Sequence, residues 1–263
     1  IAAIECLSWM LHVKKTIPID QAFQALVYDQ NSTEVIKEPL DHFSCIEIIK
    51  WLQSNAKQEN ERLFIVEWRY LPLFDRNNGL VPLTLEKYLV EKPDFFCQVI
   101  QLVFHSKNEE TSVAESSEEK KRIAENAYNL LYKWRKIPGS DANGEIDGET
   151  LKNWVKEVKK RCEESGHLQI ALDQIGKVLA HAPEDPEGLW IHKKVANVLN
   201  EKDHDAMRAA FTCELFNERG VHGWTAGAGE IALVKEYRKK AEMVDHEGYF
   251  RLAGALREFW QNR

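Results

Sequence analysis

No two of the five cysteines, Cys6, Cys45, Cys97, Cys162 and Cys213, stand closer than 39 positions apart. Without a CxxC pair, zinc ribbons and thioredoxin-like redox motifs are excluded. An odd, scattered set within apolar runs fits buried thiols in a reducing compartment, which predicts a cytoplasmic location. The sequence also lacks any apolar run near the roughly 20 residues that span a bilayer, and it shows no signal peptide. A basic excess is missing as well. Net charge is −7 with a pI near 5.8; residues 1–138 carry 17 Lys/Arg against 20 Asp/Glu, and residues 139–263 carry 18 against 22. Neither half offers an electrostatic footprint for nucleic acid or an anionic membrane, so neither partner is expected.

Catalytic signatures are equally scarce. There is no GxSxG elbow and no local cysteine-protease motif. "HEGYF" at 246–250 begins like the zinc motif HExxH, but Phe250 stands where the second ligand is needed. His181 with Glu184 and Asp185 suggests a small acid/base cluster, and a histidine in the last turn of a helix is more simply a partner for its terminal carbonyls. His204 and Asp205 read as a solvated pair near a helix start. No cofactor and no metal are expected.

What the sequence does hold is helical spacing almost throughout. Ile123, Ala127, Leu130, Leu131 and Trp134 form one apolar stripe; Leu151, Trp154, Val155, Val158 and Cys162 form another. Tyr249, Leu252, Ala253, Leu256, Phe259 and Trp260 form a third. Each puts one face on a core and leaves charge in water. No stretch alternates with period two, so the fold expected is all-α: an irregular α-solenoid or a multi-helix bundle of roughly eleven or twelve helices averaging about 11 residues. Asp41 and Asp94 are placed as helix caps, and Pro186 at a first helical position. The segment around 95–104 is apolar nearly all round and is expected to be central. Eight tryptophans, among them Trp51, Trp68, Trp134, Trp154 and Trp190, read as inter-helix packing.

The polar, Ser/Glu-rich stretch "SKNEETSVAESSEEKK" at 106–121 breaks this pattern and reads as a linker or long loop. It divides an aromatic-rich helical lobe, 1–105, from a second lobe, 122–263, of the same array. No fixed repeat period is visible, neither the tetratricopeptide pattern nor an ankyrin "TPLH".

Two stretches invite a ligand. In "GSDANGEIDGET", 139–150, aligning Gly144 on the sixth position of a calcium loop puts Asp141, Asn143 and Asp147 at ligand positions. Gly139 then stands where the first carboxylate belongs and Thr150 where a bidentate glutamate should close the site. The calcium reading is rejected; the stretch is expected to be a turn, with Asp147 capping the helix that follows. In "NERGVHGWTAGAGEIALVKEY", 217–237, Gly220, Gly223, Gly227 and Gly229 precede a helix, so backbone N–H groups are available to an anion. Arg219, His222 and Trp224 add a charge, a titratable group and a stacking surface. Arg219, Gly220, His222, Trp224, Gly227 and Gly229 are therefore the candidate ligand-binding residues. Neither GxxxxGK[ST] nor GxGxxG is matched, and a flexible or tightly bent connection whose glycines let helices approach closely is the plainer reading of the stretch.

Three phrases stand together in order: "FIVEWRYLPLFD" with "PDFFCQVIQLVF", then "DQIGKVLAHAPEDPEGLW", then "FNERGVH". From about residue 60 onward the chain resembles the helical C-terminal region of very large, largely uncharacterised bacterial multidomain proteins. That resemblance implies a place within a longer chain and no particular activity. The first residue, Ile1, and an opening that reads like mid-helix agree with a fragment of a larger protein. The expected function is accordingly a non-enzymatic helical interaction or scaffold module, binding a protein partner or other domains of its parent chain. The alternative is a ligand-binding or enzymatic helical domain with an anion or small-molecule site at 219–229.

Overall fold

The computed structural model describes residues 2–28, 41–106, 118–141, 143–218 and 228–261, with the side chains of 76, 218, 228–233, 260 and 261 left undescribed. Among these residues the chain is all-helical, with thirteen α-helices, two short 3-10 turns and no strand. A multi-helix bundle fits it. The chain divides into two compact units, Ile1–Lys87 and Tyr88–Arg263. Of the polar stretch expected as a linker, residues 107–117 lie outside the described residues, and 118–121 open a helix.

The first unit holds α1 (Ala2–His12), α2 (Ile19–Tyr28), α3 (His42–Asn55), α4 (Asn60–Arg69) and the start of α5 (Leu83–Glu91). Cys45, Ile48, Ile49 and Leu52 fall at i, i+3, i+4 and i+7 of α3 and are fully buried, so α3 is the axis on which α1, α2 and α4 pack. Asp41 caps it as expected, accepting from the N–H groups of Phe43 and Ser44. Two polar contacts, one buried and one partly buried, fix the register: Tyr70 donates its hydroxyl to the Leu26 carbonyl at 2.8 Å, and Ser8 donates to Glu47 at 2.7 Å.

The second unit holds the end of α5, then α6 (Pro93–Val103), α7 (Glu118–Lys133), α8 (Gly148–Glu164), α9 (Leu168–Leu179), α10 (Lys193–Leu199), α11 (Asp205–Glu218), α12 (Ala228–His246) and α13 (Phe250–Gln261). α6 packs on α7, α8 and α9. Its Phe96, Cys97, Val99 and Ile100 are buried, while Leu102 is exposed, so it is central on one face only. Phe96, Trp134 and Trp154 make a buried aromatic cluster with ring centroids 5.1–6.0 Å apart. Trp154 also donates Nε1–H to the Leu89 carbonyl at 3.1 Å. These tryptophans therefore do the packing their spacing implied.

α9 packs closely on α11 at Gly176. A Cβ at that position would overlap the Met207 carbonyl and the Ala210 side chain. Asp94 does not cap α6: Pro93 opens the helix, and Asp94 pairs with Arg161 of α8 at 2.8 Å. No helix starts at Pro186. Residues 183–192 form a loop instead, pinned by the buried Asp185, and α10 begins only at Lys193.

Candidate functional site

Residues 139–141 and 143–147 form a tight turn closed on itself, and Gly148–Thr150 open α8. Asp147 donates its N–H to the Gly139 carbonyl at 2.9 Å, and Asp141 donates its N–H to the Glu145 carbonyl at 2.9 Å. Gly139 (φ +79°) and Gly144 (φ +87°) take the left-handed backbone that the reversal needs. One Asp141 oxygen accepts from the N–H groups of Asn143 and Glu145 at 2.7 and 3.0 Å. The Asp147 carboxylate accepts from the N–H groups of Glu149 and Thr150 and from the Thr150 hydroxyl, and so caps α8. The Thr150 hydroxyl chiefly, with the Glu149 N–H, holds the Asp147 carboxyl below the usual carboxylate range. Both carboxylates that the calcium pattern would recruit are thus committed to the turn and the cap. Among the described residues, no group of three or more His, Cys, Asp or Glu is placed to hold a metal ion.

Of the candidate ligand residues at the second stretch, Arg219, Gly220, His222, Trp224 and Gly227 lie outside the described residues, and Gly229 falls in the first turn of α12. His181 and Asp185, two members of the acid/base cluster suggested at 181–185, each have a partner elsewhere. His181 sits 3.7 Å from Glu214 of α11. Asp185 instead accepts from the N–H groups of Glu187 and Lys193 at 3.0 and 2.7 Å, with His192 3.9 Å away. Burial works to raise its carboxyl, and the two N–H donors outweigh that and hold it below the ordinary range.

His204 is not solvated; it is almost fully buried. Its Nδ1 lies 2.6 Å from the Val198 carbonyl and so carries the proton, leaving Nε2 to accept from the Lys159 ammonium at 3.2 Å. Burial first, then the Lys159 charge, keeps this imidazole neutral and pushes its pKa down. Beside it the buried Arg208 donates to the carbonyls of Leu199 and Glu201, both at 2.6 Å, and also pairs with Asp205. Together they close the C-terminal end of α10, whose last carbonyls have no partner within the helix.

A pocket and an aromatic helix face are among the features open to solvent. A pocket of about 580 Å³ lies against the turn, with Trp154, Val90 and Pro93 as its apolar wall and Lys136, Asp141 and Asn153 among its polar lining. The other feature is the outer face of α7. Ala127, Leu130 and Leu131 seat this helix on the core. Tyr128 and Tyr132, four residues apart on the opposite side, are 55% and 65% exposed. Their rings stack at 6.3 Å with an interplanar angle of 14°. Arg135, half-buried just past the helix end, donates to the carbonyls of Tyr132 and Trp134, both at 2.8 Å, and tightens that end. The spacing signal for this pair was present in the sequence, because both tyrosines fall off the Ile123–Trp134 stripe. Comparison with family models, with curated proteins and with solved structures finds no match for this chain.

Proposed function

We propose that this chain is a helical interaction module that holds a protein partner, or a neighbouring domain of a longer parent chain, on the outer face of α7. The observation that carries this reading is the stacked, solvent-facing Tyr128–Tyr132 pair on a helix whose other face is locked in the core. Tyrosines held this way present large apolar area with little rotamer entropy left to lose, which is why such residues dominate binding energy at interfaces. Lys121 and Glu125 continue the same exposed face and supply a polar rim. A stable complex needs roughly 800 Å² from each partner, so the tyrosines are the anchor of a wider footprint. The resemblance to helical C-terminal regions of large bacterial proteins supports a place within a longer chain. The separation of the cysteines supports a reducing, cytoplasmic setting. Among the described residues no helix is long and apolar enough to cross a membrane.

The test is a differential capture. The whole chain and its Tyr128→Ala/Tyr132→Ala variant are used as bait in isotope-labelled lysate of the source organism, after equal melting temperatures are verified. The reading expects one or a few proteins held by the native chain through moderate salt and lost from the variant. Identical capture profiles for the two baits, or no capture by either, would overturn it.

A further inference from the structure

Cys97 of α6 and Cys162 of α8 stand 65 positions apart in sequence, and their Sγ atoms lie 3.4 Å apart. Both are free thiols, buried at the face where the two helices pack. Above them the ion pair of Asp94 and Arg161 joins the same two helices at the protein surface. Arg161 also pairs with Glu157 at 2.6 Å. Three residues of separation on α6 and one on α8 thus carry the contact from an exposed ion pair to a buried sulfur pair.

We propose that Cys97 and Cys162 are a modification site: a latent disulfide that closes when the protein meets a hydroperoxide and staples α6 to α8. A disulfide holds its sulfurs at about 2.05 Å, so closure requires the pair to approach by roughly 1.3 Å. Side-chain rotation at the two residues is the movement proposed to supply that distance. Burial alone would make both thiols inert. Their shared S–H hydrogen bond changes this, because it stabilises one thiolate of the pair. That bond lowers the pKa of Cys162, against the cost of burial. It also pushes the Cys97 thiol far up, with burial adding to the shift. In the proposed sequence Cys162 loses the first proton. Its thiolate attacks one peroxide oxygen, the O–O bond breaks, hydroxide departs and Cys162 becomes a sulfenic acid. The Cys97 sulfur then attacks the sulfenic sulfur, giving up its proton as the S–O bond breaks and water leaves. In sum, two thiols and one hydrogen peroxide give one disulfide and two waters, with two electrons passing from sulfur to oxygen. Cys162 is fully buried and Cys97 only 3% exposed, so the oxidant proposed is hydrogen peroxide, which is close to water in size.

The other cysteines make the site selective. Cys6 is exposed and Cys213 half-exposed, whereas only the 97–162 pair has its sulfurs in contact with each other. Closure encloses a loop of 65 residues that contains the whole of α7, so it restricts the unfolded chain much more than the native one.

The experiment treats the whole native chain with hydrogen peroxide, blocks remaining thiols with N-ethylmaleimide and maps the peptides by mass spectrometry. The expected product is a Cys97–Cys162 crosslinked peptide about 2 Da lighter than its two halves, which dithiothreitol reverses. The melting temperature should rise by about 5 °C or more on oxidation. A Cys6→Ser/Cys45→Ser/Cys213→Ser background should still form the crosslink and show the rise. Cys97→Ser and Cys162→Ser should each abolish both, with circular dichroism verifying that at least one of these variants remains helical. Absence of the crosslink while Cys6 is oxidised would overturn the proposal, since the oxidant has then reached the protein. So would a crosslink that forms only in denaturant.

Discussion

Glu67 of α4 is fully buried, and its removal is the sharpest test of how the first unit is held together. The next helix, α5, begins with a handicap. Pro82 accepts its first main-chain hydrogen bond, from Glu86 N–H, and has no side-chain acceptor to offer the N–H groups that follow. Glu67 supplies that acceptor from a different helix: one carboxylate oxygen takes Thr84 N–H at 2.8 Å and Leu85 N–H at 2.9 Å. The other oxygen takes Gln53 Nε2 at 2.8 Å, and the same Gln53 nitrogen donates to the Val81 carbonyl. Glu67→Ala strands two backbone donors and one amide hydrogen in the interior. At about 1–3 kcal/mol for each stranded group, and with some relief from no longer burying a charge, the loss is about 3 kcal/mol or more. Glu67→Gln is milder. Its oxygen can face Thr84 and Leu85, but its NH2 then confronts the Gln53 NH2. Turning Gln53 to present oxygen would set that oxygen against the Val81 carbonyl. One hydrogen bond is lost, about 1 kcal/mol.

The pH dependence adds a second check. Burial raises the Glu67 pKa above its ordinary 4.5, although the Gln53, Leu85 and Thr84 donors pull it down. A raised folded value means that the folded state favours the proton. Its stabilising contribution is therefore complete below about 4.5 and is lost as pH rises through the folded pKa. Glutamine does not titrate, so the deficit of Glu67→Gln relative to the native chain should grow as pH falls from 7.5 to 5. Urea unfolding followed by circular dichroism gives the midpoints, and amide hydrogen exchange at Thr84 and Leu85 reports the cap itself. A Glu67→Ala loss below about 1 kcal/mol would show that the donors find other partners. A Glu67→Gln deficit that shrinks on acidification would show that the donors outweigh burial. Either result refutes the reasoning.

Gly176→Ala should destabilise the second unit by about 1–3 kcal/mol through overlap with α11, even though alanine is the better helix former by about 1 kcal/mol; an unchanged or higher melting temperature would contradict this. The buried, neutral His204 has a depressed pKa, so its contribution is present above the ordinary value of 6.5 and lost as pH falls below it. His204→Gln should flatten that part of the stability–pH profile, and a variant with the native slope would refute the assignment. Millimolar calcium, against EDTA, should leave the melting temperature where it was, because Asp141 and Asp147 are committed to the turn and the cap of α8. An upward shift that tracks calcium concentration would refute that account.

Helix existence was legible because it rests on local periodicity. All five residues of the 151–162 stripe are buried in α8, and Asp41 and Asp147 cap the helices their positions implied. Such signals need only neighbours in sequence. Pro186 misled because its local cue, a proline ahead of an apolar run, competes with Asp185, which draws the N–H groups of Glu187 and Lys193 inward and holds a loop. His204 misled for a related reason. Charged neighbours on both sides suggested solvent, and only the α8 residue Lys159 and the end of α10 make its burial tenable. Glu67 and Arg208 left no trace at all in a sequence window, since each serves a helix end other than its own helix's.

These cases share one physical cause. The thirteen α-helices among the described residues expose many orphan N–H and C=O groups, and in the interior each must find a partner. Where the terminal residue cannot cap itself, as at Pro82 or after Leu199, the fold recruits a buried carboxylate, imidazole or guanidinium from elsewhere. The residue types that suggest chemistry in the sequence are therefore drawn toward main-chain ends. Asp185, His204, Glu67 and Arg208 are occupied in this way. Tyr128 and Tyr132 are different, because α7 needs nothing from them: its core face is complete with Ala127, Leu130 and Leu131. The two rings stack into one contiguous exposed surface, and contiguous exposed apolar surface is what marks a contact face. That contrast supports reading the outer face of α7 as a contact surface, and it is why the differential capture experiment turns on those two rings.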